Sequence, residues 1–124
     1  MKPPVETVRI SQRSRDILIK LKRKTGIEHW NVLCRWAFCA SLANPSKPVV
    51  AVSPESNVEM TWKVFCGPLA EAFPALLLVR AQRDQVPLDR ESLAHYFRNH
   101  LERGVTHLTG LKDLPALFAR LRDK

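Results

Sequence analysis

Six basic side chains are concentrated in residues 12–25, a segment that contains a single acid, Asp16. Lys and Arg neutralise phosphate groups, and such contacts supply most of the sequence-independent affinity of proteins for nucleic acids. On a helix of about 100° per residue, three of the six share one stripe outside the apolar arc, and three surround it. The stripe is Arg13, Lys20 and Lys24, and its neighbours are Arg15, Lys22 and Arg23. The segment therefore predicts a phosphate-binding helix face.

The net charge of +8 is spread unevenly along the chain. Residues 1–24 contain eight Lys or Arg and two acids, which gives +6. Residues 25–79 contain three against four, or −1, and residues 80–124 contain nine against six, or +3. Such a concentration of positive charge is typical of binding to nucleic acid or to an acidic protein surface. Two partner classes stay open: DNA held through its backbone, or an acidic partner protein docked by the basic helix.

The strand predicted before this helix offers one more candidate. Residues 5–10 alternate along a run with several β-branched side chains, which suits a short strand with Thr7 and Arg9 on its outer face. Ribbon-type DNA-binding proteins read base edges from such positions. Arg9 therefore joins the six basic residues as a candidate DNA-binding residue.

The histidines do not predict a metal site. His95, His100 and His107 are separated by five and seven residues, and no cysteine lies near them at zinc-ligand spacing. We expect partly exposed or capping histidines, with His100 and Arg103, near Gly104, adding to the basic surface. The sequence contains no catalytic triad order, phosphate-binding glycine loop or paired carboxylates in a pocket-like context. It therefore predicts a non-catalytic protein without cofactor or metal.

Length and composition predict one soluble domain over residues 1–124, with 45% apolar and 26% charged residues. No apolar run approaches the roughly 18 residues of a membrane span, and the N-terminus lacks the apolar core of a signal peptide. Three cysteines form no even disulfide framework, which indicates a reducing compartment. We therefore expect a cytoplasmic protein that contacts no membrane.

The elements that must position the basic residues form a unit over residues 1–44. Ser11 is a good N-cap for a helix at about 12–25, and Gly26 is a good residue to end it. A second helix, at about 29–43, is apolar nearly all round, with Arg35 as its only residue charged at all ordinary pH values. A helix of this kind must be buried nearly all round, and the simplest expectation is that a second subunit packs against its apolar surface.

Residues 45–124 predict a helical extension, so the fold class is mainly α. A small β-hairpin between 49–52 and 58–65 is expected, with a helix over 54–66 as the alternative. Further helices are expected over 69–85, interrupted or restarted at Pro74, and over 90–103, with Asp89 as N-cap and Gly104 as the stop. A final helix is expected after Asp113, with Pro115 in its first turn.

The order of strand, cap, basic helix, glycine turn and apolar helix resembles the ribbon-helix-helix DNA-binding unit. In that unit the second helices form a dimer seam, which would explain a basic helix beside an apolar one. Two acids depart from the pattern. Glu28 stands where a phosphate-holding Ser or Thr is usual, and Glu6 falls on the strand face expected to be apolar. These departures favour backbone binding over groove reading.

Two longer runs, "ISQRSRDILIKLKRKTGIEHWNVLCRWAFCASLA" and "YFRNHLERGVTHL", are similar to the DndE family of bacterial DNA phosphorothioation systems. The resemblance implies a homotetrameric DNA-binding protein that prefers nicked duplex and acts beside sulfur-delivering and ATPase components, without being a catalyst. In a sulfur pathway a thiol could carry a persulfide. Cys34 and Cys39 lie in the most apolar segment, so Cys66 is the only expected loop thiol, and we favour a packing role for it.

Overall fold

The computed structural model describes residues 3–49 and 54–110. Within these residues the chain is mainly helical, with a two-stranded antiparallel sheet, which confirms the predicted class. A single 3₁₀ turn, Gly67–Leu69, precedes the fourth helix. The elements are β1 (Thr7–Ser11), α1 (Gln12–Thr25), α2 (Trp30–Ala43), β2 (Glu55–Thr61), α3 (Trp62–Cys66), α4 (Ala72–Arg83) and α5 (Arg90–His107).

The sheet joins β1 to β2 of the same chain, with Thr7 opposite Thr61 and Arg9 opposite Glu59. Val8 and Ile10 point into the core, so the strand predicted before the basic helix is confirmed. In a ribbon-helix-helix dimer this strand would pair with a second subunit, and the resemblance to that unit stays a prediction. The hairpin prediction also requires residues 50–53, which lie outside the described residues.

The segment between β2 and α4 combines the two alternatives expected for it. The strand ends at Thr61, whose hydroxyl accepts a hydrogen bond of 3.2 Å from the backbone N–H of Val64 and caps α3. The structure therefore has a strand, Glu55–Thr61, that overlaps the one expected at 58–65, and a short helix, Trp62–Cys66, directly after it. Local N-cap chemistry overrides the strand pattern that continues to Phe65.

The core lies between α2 and α5 and is dominated by aromatic rings. Phe38 of α2 is fully buried, with ring centroids 5.9 Å from Phe65, 5.1 Å from Phe73 and 5.3 Å from Phe97. Such tilted and edge-on pairs stabilise a core beyond the area they bury. One face of α2 is thus covered within the chain, as its apolar character predicts.

The outer face of α2 is only partly covered by the chain itself. Val32 and Trp36 are half-buried, whereas Cys39 and Ala43 are exposed. These four residues follow the spacing of one helix face. The expectation that a second subunit covers this face stays a prediction.

α5 is longer than the sequence indicated. The N-cap prediction is confirmed, since Asp89 accepts a hydrogen bond of 2.9 Å from the N–H of Ser92. The prediction that Gly104 ends this helix is wrong, because α5 continues to His107. Gly104 instead lies inside the helix, against the backbone of Ala37 in α2, where the absence of a side chain permits close packing. The helix expected after Asp113 lies outside the described residues.

Two arginines hold the carbonyl end of α2. Arg80 donates to the carbonyl oxygens of Leu42, at 2.6 Å, and Asn44, at 3.0 Å. Arg103 donates to the carbonyl oxygen of Ser41 at 2.8 Å. Positive charge at this end complements the helix dipole, so these side chains fix where α2 stops.

No single helix in the described part of the chain has both the length and the hydropathy needed to cross a bilayer. The helical segments Trp62–Leu69 and Ala72–Arg83 reach that length and hydropathy only when they are counted together, and they are bent by 95° relative to each other.

Candidate nucleic-acid interface

The basic helix α1 is fixed at both ends by the residues that the sequence indicated. The hydroxyl of Ser11 accepts a hydrogen bond of 3.0 Å from the N–H of Ser14. Gly26 adopts the left-handed conformation with φ of 78°, and its N–H donates to the carbonyl oxygen of Lys22 at 3.1 Å. Leu18 and Leu21 are buried, so the opposite side of α1 faces solvent.

A buried carboxylate holds the start of α1 against α5. Glu102 accepts from the backbone N–H of Ser11 at 3.2 Å and from the hydroxyl of Ser14 at 2.6 Å, and the Ser11 hydroxyl also donates to it. Sequence reasoning missed this residue, because its partners lie 88 and 91 positions away and nothing local marks it. Glu102 therefore sets the direction in which α1 leaves the core.

Three cations of α1 are exposed and unengaged. Lys20, Arg23 and Lys24 make no hydrogen bond or ion pair with any described residue. Lys20 and Lys24 are one helical turn apart and belong to the predicted stripe. Arg23, which the sequence placed beside the stripe, is equally free. These three side chains can each neutralise a phosphate without first breaking a contact with the described part of the chain.

The other basic residues of α1 contact their own chain. Arg13 donates to the hydroxyl of Thr106 at 2.9 Å, although it remains exposed. Arg15 lies 3.7 Å from the carboxylate of Asp16. The ammonium of Lys22 lies 4.6 Å from the ring centroid of Trp30, a cation–π contact. They flank the free cations and are held by weak surface contacts.

Arg9 differs from the α1 cations because two carboxylates of β2 surround it. Its guanidinium lies 3.0 Å from Glu55, and its Nε donates to Glu59 at 3.1 Å. These hydrogen bonds, first to Glu59 and then to Glu55, raise the pKa of Arg9 above its ordinary value. A phosphate would have to displace both acids, so Arg9 is less available for phosphate binding than Lys20, Arg23 and Lys24, which pair with no described residue.

The outer face of the sheet carries further internal ion pairs. Arg98 lies 3.2 Å from Glu55, and Arg90 lies 3.3 Å from Glu6. Glu6, which departs from the ribbon-helix-helix pattern, thus has a partner on α5. The arginines near the strands are paired with acids, whereas Lys20, Arg23 and Lys24 of α1 pair with no acid among the described residues.

The histidines do not extend this surface as expected. The prediction for His100 is wrong, because it is fully buried and its Nδ1 lies 2.8 Å from the Ser41 hydroxyl. Burial, with the charges of Arg103 and Arg80, lowers the pKa of His100 to about 3. His95 is exposed. No group of three or more His, Cys, Asp or Glu among the described residues could hold a metal ion.

The cysteines are placed differently from the prediction. Cys66, expected in a loop, is the last residue of α3 and is fully buried, and burial raises the pKa of its thiol to about 11. Cys34 is also buried, with its pKa raised to about 12. The exposed thiol is Cys39, which lies on the outer face of α2 with Val32, Trp36 and Ala43.

A model of the family described as "DNA sulphur modification protein DndE" matches residues 7–116 of the sequence. The match includes β1, α1 and every other element described above. The chain belongs to the DndE family. Among curated proteins, no relative matches the sequence.

Two solved DndE structures resemble this chain over most of its length. One is DndE from Escherichia coli B7A, involved in DNA phosphorothioation modification, with 23% identity and a TM-score of 0.66 over 86% of this chain and 97% of that chain. The other is a DndE mutant involved in DNA phosphorothioation, with 20% identity and a TM-score of 0.65 over 84% and 96%. These likenesses show that the chain has the DndE fold. Membership in the family places it in the phosphorothioation system, which has further components.

Proposed function

We propose that this DndE-family protein is the non-catalytic DNA-binding component of a DNA phosphorothioation system in the cytoplasm. It binds the backbone of duplex DNA, preferably nicked, through the exposed side of α1. The observation that carries the proposal is that some basic side chains form ion pairs within the chain and others do not. Lys20, Arg23 and Lys24 have no internal partner among the described residues, whereas the arginines of the sheet face are paired with glutamates. Free cations on a rigid helix are what backbone binding needs.

Backbone contact, rather than base reading, fits the same surface. Phosphate contacts position a protein on DNA without carrying sequence information, and base reading requires donors that reach the groove. Arg9, the candidate base reader, is already held by Glu55 and Glu59. A component that serves a modification complex can leave sequence choice to its partners.

Several copies of the chain are proposed to bind together, as a homotetramer. The outer face of α2, with Val32, Trp36, Cys39 and Ala43, supplies a surface for a second subunit. Several α1 faces then contact one duplex, which multiplies weak contacts. When such faces do not lie along one straight line, intact DNA must bend at a cost of roughly 1–6 kcal/mol. A nick interrupts one strand and lowers that bending cost, so such an assembly is expected to bind nicked duplex more tightly than intact duplex.

The test is a gel-shift series with intact and nicked duplex over a range of salt concentrations. We expect tighter binding to nicked DNA and weaker binding of the Lys20→Ala/Lys24→Ala variant to every sequence. The slope of log affinity against log salt should fall by about one for each phosphate that the variant no longer neutralises. Arg98→Ala is the matched control, because this exposed arginine is paired with Glu55. A double variant with unchanged affinity and salt slope would favour an acidic partner protein as the target of α1.

A further inference from the structure

Trp30, the first residue of α2, adds an aromatic ring to the basic surface of α1. The ring is half-buried and packs against the hydrophobic core, and the ammonium of Lys22 lies 4.6 Å from its centroid. The core fixes the position of the ring, whereas the long side chain of Lys22 can rotate away from it. The ring is therefore rigid, and one of the groups that cover it can leave.

The order of the basic residues around α1 makes this ring part of the proposed DNA surface. Lys22, Arg23 and Lys24 are consecutive, so at about 100° per residue they spread across roughly 200° of the side of α1 that faces solvent. Arg23 lies in the middle of this spread, and Lys22 lies at the edge that contacts Trp30. A DNA strand held by the free cations therefore passes close to the ring.

The indole N–H of Trp30 supplies a second observation. It donates to no residue in 3–49 or 54–110, although the N–H of a tryptophan that packs in a protein usually finds an acceptor. A ligand at this position can thus supply an acceptor for the N–H and a flat surface for the ring. A nucleotide offers both, because its oxygens accept hydrogen bonds and its base is aromatic.

We propose that Trp30 is a stacking site for an unpaired base of the DNA that α1 holds. A phosphate draws Lys22 off the ring, because a hydrogen bond between charged groups is stronger than a cation–π contact at an exposed site. The uncovered ring then stacks with the base. Stacking of this kind tolerates every base, since each has a π face, and so it suits a protein that contacts the backbone.

The base must be unpaired because a base inside the duplex offers only its edge to a protein. Moving a base out of the stack costs least where it is mismatched or already single-stranded. A single-nucleotide bulge supplies such a base within a continuous duplex, and a strand end at a nick supplies one when its last pair opens. The inference rests on the proposed binding of DNA by α1, and it names the part of the DNA that Trp30 contacts.

The test compares binding of the full chain to a perfectly paired duplex and to the same duplex with one bulged 2-aminopurine. We expect the wild type to bind the bulged duplex at least about fivefold more tightly and to quench the 2-aminopurine fluorescence, because only the unpaired base stacks on the ring. Trp30→Leu keeps an apolar side chain against the core and should lose both the preference and the quenching. Trp30→Phe keeps an aromatic ring and should retain most of both.

Affinity for the paired duplex separates this inference from the proposed function. Trp30→Leu should bind the paired duplex as the wild type does, with the same slope of log affinity against log salt, since the cations of α1 are intact. An equal preference for the bulged duplex in wild type and Trp30→Leu overturns the inference, because the preference then comes from the easier bending of bulged DNA.

The wild type alone also decides the matter, whether or not a variant folds by far-UV circular dichroism. Binding to both duplexes without preference or quenching overturns the inference and leaves backbone binding by α1 intact. Binding to neither duplex overturns the proposed function and, with it, the inference.

Discussion

Gly104 of α5 lies so close to Ala37 of α2 that a Cβ atom on residue 104 would come within 1.7 Å of the Ala37 carbonyl oxygen. No real Cβ contact is that short, and the atom in the way is backbone, which cannot rotate aside. The glycine is therefore required by the approach of two helices. A glycine in the middle of a helix otherwise lowers helix stability by about 1 kcal/mol relative to alanine.

The first prediction is that Gly104→Ala destabilises the protein by at least about 1–3 kcal/mol, the usual range for overpacking a core. Urea unfolding followed by circular dichroism measures the change. Gly26→Asn is the control, because a Cβ there meets nothing within 4 Å and Asn tolerates a positive φ. If alanine at 104 raises stability, as helix propensity alone predicts, the close approach of α5 to α2 is not present in solution.

The contrast between these two glycines shows what the sequence could predict. Ser11, Gly26 and Asp89 act on groups within four residues, so the sequence indicated their roles and the ends of α1 and α5 that they cap. Gly104 and Glu102 act on residues more than sixty positions away, and no local signal shows which helix they face.

The candidate interface divides in the same way. The basic face of α1 can be predicted from the helical period, because placing residues at about 100° intervals puts Leu18 and Leu21 in one arc and Lys20 and Lys24 outside it. The pairing of Arg9 with Glu55 and Glu59 depends on which strand lies beside β1. Arg9 and Lys20 therefore look alike in the sequence, although the structure pairs Arg9 with two glutamates and gives Lys20 no partner among the described residues.

A second prediction concerns acid stability. Arg103 donates through Nε to the Ser41 hydroxyl at 2.8 Å, and the same hydroxyl is hydrogen-bonded to Nδ1 of the buried His100 at 2.8 Å. The buried ring is held neutral, with its pKa lowered to about 3 from an ordinary value of 6.5. The unfolded chain therefore binds more protons than the folded one between these values, and stability falls as the pH falls.

Between pH 7.5 and pH 5, this histidine should remove about 2 kcal/mol from the free energy of unfolding. Urea titrations at several pH values measure the slope, and His100→Asn should flatten it over this range. His95→Gln is the control, because His95 is exposed. An equal slope in wild type and His100→Asn would mean that another group titrates.

The third prediction separates free from paired arginines. Arg23→Ala should weaken binding to all duplexes and lower the slope of log affinity against log salt by about one, since its side chain pairs with no residue in 3–49 or 54–110. Arg9→Ala should leave affinity and sequence preference unchanged, because Glu55 and Glu59 already neutralise it. Fluorescence anisotropy with two unrelated duplex sequences measures both effects. A change of sequence preference in Arg9→Ala would instead identify the strand as a reader of base edges.

The last prediction uses Cys39 to test the outer face of α2. Of the three cysteines, all within the described residues, only Cys39 is exposed, and it lies beside Trp36 on the face proposed to meet a second subunit. A maleimide should modify one thiol per folded chain. Desolvation raises the pKa of Cys39, so its thiolate fraction and reaction rate at pH 7 fall below those of a free cysteine and rise with pH. The rate should also fall as protein concentration rises, because association covers the thiol.

Cys39→Ser is the control and should abolish labelling, since Cys34 and Cys66 are buried. A labelling rate independent of concentration, in a sample that sediments as an oligomer, would place the subunit contact elsewhere than on α2.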